Sequence, residues 1–189
     1  MLDNTFNKKE SPLVGMMGGG PGGPLGISGG AAAEKTYVDD VFSTFVYEGN
    51  GSTQSINNGI DLSGEGGLVW LKNRSSSVYG GLWDTEATAS NILTSFNSDG
   101  FSISTTGGTQ VNDSNEDYVA WTFRKAPGFF DVVTYTGNGT AGRTISHNLG
   151  SVPGMIMLKQ TSAAARWFVY HRSTGNGNQL TLNDTNGAY

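Results

Sequence analysis

From Thr36 onward, short apolar runs alternate with clusters of Gly, Asn and Ser. The runs are Val41–Tyr47, Gly67–Lys72, Phe101–Ser104, Tyr118–Arg124, Phe129–Tyr135, Met155–Lys159, Trp167–Tyr170 and Leu180–Leu182. Each is short, rich in Val, Ile, Tyr, Phe and Trp, and bounded by chain-breaking residues, which predicts strands. Tyr118-Val-Ala-Trp-Thr-Phe-Arg124 has the clearest period of two. Val119, Trp121 and Phe123 fall on one face, and Tyr118, Ala120, Thr122 and Arg124 on the other. That alternation predicts a half-buried antiparallel strand with its Val/Trp/Phe face inward. Only Asp84–Thr94 reads as a helix, and its Thr and Ser weaken it. Many short strands and almost no helix predict an all-β chain of tandem antiparallel β-sandwich units, jelly-roll or lectin-like.

Residues 1–35 have a different texture. Gly15 to Gly30 (GMMGGGPGGPLGISGG) holds nine glycines and two prolines. Such a stretch loses much entropy on ordering and has no apolar periodicity to offset it. Two readings are open: a flexible linker, or an extended arm that orders only in a groove on a partner. A free linker has little use for Met-Met or Leu-Val. We therefore take Phe6, Leu13, Val14, Met16, Met17, Leu25 and Ile27 as candidate anchors for partner docking. The expected organisation is an extended Gly/Pro-rich arm over 1–35, a first sandwich unit over 36–128 and a second, incomplete one over 129–189.

The division into units rests on an internal repeat. Tyr47-Glu-Gly-Asn-Gly-Ser52 recurs as Tyr135-Thr-Gly-Asn-Gly-Thr140. Gly67-Leu-Val-Trp-Leu-Lys72 matches Gly154-Met-Ile-Met-Leu-Lys159, Ile56–Ile60 lies against Ile145–Leu149, and Leu82-Trp83 aligns with Val169-Tyr170. Gly-Asn-Gly after a strand signals a tight turn, because both residue types tolerate positive φ. The second copy reaches Tyr189 without a counterpart of Tyr118–Arg124. A sheet lacking a core strand has an open edge. The expectation is that the chain continues, or that another subunit supplies the strand.

Composition narrows the function classes. Glycine is 29 of 189 residues, Cys is absent, and Ser, Thr and Asn contribute 19, 19 and 16. The net charge is −5, with no basic run beyond Lys8-Lys9. That balance argues against nucleic acid and anionic membrane surfaces, and no apolar run is long enough for membrane insertion. The start MLDNTFNKKESPL lacks the apolar segment of a signal peptide. Synthesis in a cytoplasm is expected.

Candidate chemistry is sparse, and no cofactor, metal or catalytic residue is assigned. Gly137-Asn-Gly139-Thr-Ala-Gly142 spells a dinucleotide fingerprint, but turn-forming residues follow it where a helix is needed. Asp113-Ser-Asn115-Glu-Asp117 opens like a calcium loop yet has Tyr118 and Arg124 where an EF-hand needs Gly and Glu. His147 and His171 have no zinc-type spacing, no Gly-x-Ser-x-Gly elbow occurs, and nothing singles out a carboxylate pair such as Asp84 and Glu86. Trp70, Trp83, Trp121, Trp167, Tyr79 and Tyr170 are candidate platforms for sugar rings. Trp83 and Trp121 are expected in the core instead, and Tyr79 outside it.

The phrases AWTFRKAPGFFDVVTYTGNGT and HNLGSVPGMI, with FNSDGFSI and WFVYHRS, resemble a β-rich repeat domain of uncharacterised function from structural proteins of marine tailed phages, cyanophage-like. The resemblance covers about 36–189, and the start MLDNTFNKKESPLVGMMGGG also looks like virion proteins of that group. WDTEATASNILTS departs from the pattern, where a longer glycine-containing loop is expected. The resemblance implies a virion component: a fibre or a tail or capsid appendage, made in the host cytoplasm. Its partners would be other virion proteins (capsid, portal or tail), with a homo-oligomer, a trimer for a fibre. It implies no catalytic residue, and the expectation is that the protein is not an enzyme. The alternative reading is a lectin-like module binding a host-surface glycan.

Overall fold

The structure, a computed structural model, describes residues 36–78, 80–86, 92–104 and 111–182. The described part of the chain is nearly all β and divides into two compact units that change over between Asn148 and Leu149.

In the first unit, a single helical turn, α1 (Val38–Val41), leads into β1 (Phe42–Glu48). The Tyr37 N–H donates to Asp40 Oδ2 at 2.7 Å and fastens that turn. There follow β2 (Gln54–Asn57), β3 (Gly67–Asn73), β4 (Gly81–Asp84), β5 (Leu93–Asn97), β6 (Gly100–Ile103) and β7 (Asp117–Arg124). They form two antiparallel sheets, ordered β1-β7-β3-β4 and β2-β6-β5. The chain passes from one sheet to the other after β1, β2, β4 and β6. Both sheets therefore feed one core: Val69, Leu71, Tyr118 and Ala120 from the first, and Ile56, Leu93, Phe101 and Ile103 from the second. Ile60, Leu62 and Val111 close it from the connections.

β7 carries the main correction to the sequence reading. Its inward face is Tyr118, Ala120 and Thr122, each fully buried. Val119, Trp121 and Phe123 lie on the opposite face of the sheet, so Trp121 is not in the core. Two physical reasons account for this. First, the polar atoms facing inward are satisfied: Asn58 Nδ2 donates to Thr122 Oγ1 at 2.7 Å, and the Asp113 N–H donates to the Tyr118 hydroxyl at 3.0 Å. A bonded hydroxyl is no obstacle to burial. Second, the outer residues shield one another. Trp121 packs on Trp70 with centroids 5.2 Å apart, and Phe123 packs on Phe42, Phe129 and Phe130.

The predicted helix at Asp84–Thr94 is not found among the described residues of that stretch. Asp84 ends β4, Leu93 and Thr94 open β5, and 87–91 lie outside the described residues. Phe129–Tyr135, expected as a strand, is not one: Phe129 lies in a turn, Phe130 makes one isolated bridge to Ala126, and 131–135 have no regular secondary structure.

The second unit contains β8 (Met155–Lys159), β9 (Trp167–His171) and β10 (Leu180–Thr181), in one antiparallel sheet ordered β10-β9-β8. Its hairpin repeats that of the first unit in detail. β3 pairs with β4 as Val69↔Trp83 and Trp70↔Leu82, and β8 pairs with β9 as Ile156↔Tyr170 and Met157↔Val169. These are the pairs the sequence alignment superimposes. The Thr85 N–H donates to the Gly67 carbonyl at 3.0 Å, and the Arg172 N–H to the Gly154 carbonyl at 2.9 Å. Lys72 Nζ donates to the Val78 carbonyl across its hairpin loop, and Lys159 Nζ to the Ala165 carbonyl across the other.

Candidate functional site

The arm anchors Phe6, Leu13, Val14, Met16, Met17, Leu25 and Ile27 lie outside the described residues, as does Tyr79. What remains is a set of surfaces.

One surface of the first unit is the outer face of the β1-β7-β3-β4 sheet. Register places Phe42, Phe123, Leu68 and Asp84 in one cross-strand row, and Thr44, Trp121, Trp70 and Leu82 in the next. Val46, Val119 and Lys72 make the third, with Val46 exposed. Trp70 and Trp121 are half-buried, with their rings inclined at 56°. This aromatic surface follows from the turned-over β7. The sequence signal for it was the alternation itself, read with the wrong face inward.

A shallow depression of about 440 Å³ lies nearby, lined by Leu62, Glu65, Thr85, Glu86, Phe96 and Lys125, among others. Lys125 Nζ donates to Glu86 Oε1 at 2.8 Å, and that hydrogen bond raises the lysine pKa above its ordinary value. The carboxylate of Asp61 is held below the usual range, first by the Gly64 N–H and then by the Ser63 hydroxyl. Asp84 Oδ1 accepts the Glu86 N–H at 2.9 Å, and Glu86 is committed to Lys125.

The other chemical candidates resolve into turns. Gly137–Gly142 is followed by turn and coil, not by a helix. The two Gly-Asn-Gly copies share one device. Asn50 Oδ1 accepts the Ser52 N–H at 2.8 Å, Asn138 Oδ1 accepts the Thr140 N–H at 3.0 Å, and Gly51 and Gly139 have φ of 66° and 71°. Asp113–Glu116 is the turn before β7 and Asp117 opens the strand, with Asn115 at φ 64° and its N–H on the Gly49 carbonyl. Among the described residues no three His, Cys, Asp or Glu side chains gather as a metal site. His171 Nδ1 accepts the Ser173 N–H at 3.2 Å, which ties it into its own turn.

Asn112 is a fully buried polar side chain that sequence reasoning missed. Its Oδ1 accepts the Asn50 N–H at 3.1 Å and Gln54 Nε2 at 2.9 Å, and its Nδ2 donates to the Ser52 carbonyl. The network joins the first Gly-Asn-Gly turn to the approach to β7. With every partner supplied by the protein, it is a structural fastener.

Two sheets over one core, turns fixed by Asn and Gly, and an aromatic outer sheet face define an all-β module. The chain belongs to a family described as a domain of unknown function (DUF7483), which matches residues 38–189. No curated protein and no solved structure matches it. Among the described residues no helix is long and apolar enough to cross a membrane.

Proposed function

We propose that this chain is a structural component of a phage virion, a fibre or a tail or capsid appendage. Residues 1–35 dock it to a capsid, portal or tail protein, and the β units project from the particle. The observation that carries this reading is the contrast along the chain. The described core of the first unit is drawn from residues between Ile56 and Ala120, whereas the arm has isolated apolar anchors on a glycine-rich backbone. A segment of that kind gains order by laying its anchors into a partner's groove. The resemblance of residues 36–189 to structural proteins of marine tailed phages supports the same reading.

The test is deletion of residues 1–35 in the phage that encodes the protein. Incorporation into particles should fall sharply while the far-UV circular dichroism of the remaining chain stays β-type. Normal incorporation of the shortened chain refutes the docking role.

The outer face of the aromatic sheet favours a second reading, a glycan-binding module. Trp70 and Trp121 sit side by side on an outer face, where aromatic rings can stack on sugars. A glycan array probed with the full chain and with Trp121→Ala separates the readings. Only an adhesive module gives signals that the substitution removes.

A further inference from the structure

The second unit exposes apolar side chains that their counterparts in the first unit bury. Met155, Ile156 and Leu158 are 47%, 40% and 42% exposed, while Leu68, Val69 and Leu71 at the matching positions of β3 are 4%, 0% and 0%. The hairpins are otherwise alike in register, closing hydrogen bond and lysine contact. One difference in pairing stands out. β3 lies between β4 and β7, whereas β8 has β9 on one side and no strand on the other among the described residues. The Arg172 N–H to Gly154 carbonyl bond fixes which amides face β9. By the alternation of an antiparallel ladder, the amides of Met155, Met157 and Lys159 point to the unpaired edge. Their counterparts in β3, at Leu68, Trp70 and Lys72, point to β7.

A second segment lacks the same neighbour. β1 is held in the first unit by pairing with β7 along its whole length. Its counterpart by the Tyr47/Tyr135 alignment, residues 130–136, has no ladder beyond the bridge at Phe130, and Val133 and Tyr135 are 39% and 51% exposed. Among the described residues, neither counterpart of β7's two neighbours has a strand where β7 lies in the first unit.

We infer that the free edge of β8 is an acceptor for one extended strand of β7's chemistry, supplied by a polypeptide segment outside residues 130–182. Its pattern is that of β7: a face of Tyr, Ala and Thr alternating with a face of Val, Trp and Phe. Charge complementarity fits this occupant. β7 opens at Asp117, just after Glu116, beside the Lys72-Asn73 end of β3; the Arg74 N–H donates to the Asp117 carbonyl at 2.8 Å and Asn73 Nδ2 to Glu116 Oε2 at 3.1 Å. The same end of β8 carries the exposed Lys159. Strand addition of this kind draws affinity from main-chain hydrogen bonds and selectivity from alternate side chains.

The test uses the full chain and a synthetic peptide of the β7 sequence, residues 116–125 (EDYVAWTFRK), against a scrambled peptide of the same composition. Amide hydrogen exchange at Met155, Met157 and Lys159 should slow by about tenfold or more with the β7 peptide only. Met157→Pro removes the central donor of the free edge and should abolish that protection. Hydrogen exchange of β9 in the same variant shows whether the hairpin is intact. If the hairpin is lost, alanine at both Ile156 and Leu158, which keeps every amide, should weaken the peptide effect. Equal protection by the scrambled peptide, or none by either, overturns the inference. So does protection of these amides without peptide in a concentration-dependent dimer, which would make the occupant a second copy of β8.

Discussion

The orientation of β7 can be tested by two truncations three residues apart. Tyr118→Ala removes a ring that is fully buried, stacked on Tyr47 at 5.2 Å and bonded through its hydroxyl to the Asp113 N–H. A buried aromatic side chain hides about 150–250 Å². At about 25 cal/mol per Å² that is about 4–6 kcal/mol of transfer free energy. Large-to-small aromatic truncations in cores cost about 3–5 kcal/mol, so we expect about 4 kcal/mol. Trp121→Ala removes a larger ring, but one that is half-buried on the outer face and packed on Trp70. The lost aromatic contact and partial burial together come to about 1–2 kcal/mol. The assay is urea unfolding of both variants followed by near- and far-UV circular dichroism. With a slope of about 1–3 kcal/mol per molar urea, a 4 kcal/mol loss lowers the midpoint by more than about 1 M. The tryptophan variant should move it far less. If Trp121→Ala proves as costly as Tyr118→Ala, the Val/Trp/Phe face is the core face and the fold described above is wrong.

Three further outcomes are expected. Asn112→Ala strands the Asn50 N–H, Gln54 Nε2 and the Ser52 carbonyl; because Asn50 and Ser52 lie near solvent, the loss should be about 2–3 kcal/mol in the same unfolding assay, and a neutral result would mean that water replaces the network at no cost. Gly100 has φ 134°, and a Cβ there would lie 2.0 Å from the Ile56 carbonyl oxygen; Gly100→Ala should therefore lose at least about 1–3 kcal/mol by thermal denaturation, and wild-type melting would rule out the β2–β6 register. Burial first, and then the neighbouring Tyr118, push the Tyr47 hydroxyl well above its ordinary pKa, and burial raises Tyr118 as well. The folded state therefore keeps protons that the unfolded chain sheds above about pH 10; this stability is intact below that pH and lost as pH rises beyond it, so Tyr47→Phe should flatten the alkaline limb, and an unchanged limb would place its cause elsewhere.

Much of this fold was legible because strands announce themselves by short aromatic and β-branched runs between turn residues. β1, β3, β7, β8 and β9 all stand where such runs stand. β2 (QSIN) and β5 (LTSFN) were not legible, because each has one or two apolar residues and owes its strand state to β6 between them. The direction of β7 was lost for a different reason. Apolar count marks one face as inward, but burial depends on whether polar atoms find partners: Asn58 reaches Thr122 from far along the chain, and the Asp113 N–H reaches the Tyr118 hydroxyl from the turn before β7. The aromatic surface was hidden by the same error.

The two copies also separate what local sequence specifies from what a neighbour specifies. The β3–β4 and β8–β9 hairpins keep the same register although one is flanked by β7 and the other is not. Their loops, with a lysine reaching a carbonyl six residues on, suffice to set that register. β1 and residues 130–136 behave in the opposite way. Both carry a β-type run ending in Tyr-x-Gly-Asn-Gly, and both end in the same Asn-fixed turn. Only β1 is a strand, and only β1 has a ladder along its length. Since run and turn are shared, neither is sufficient for the strand state, and the partner is the factor that differs. β7 is therefore the element on which the unit's sheet depends: the hairpin precedes it, and the outer strand follows from it.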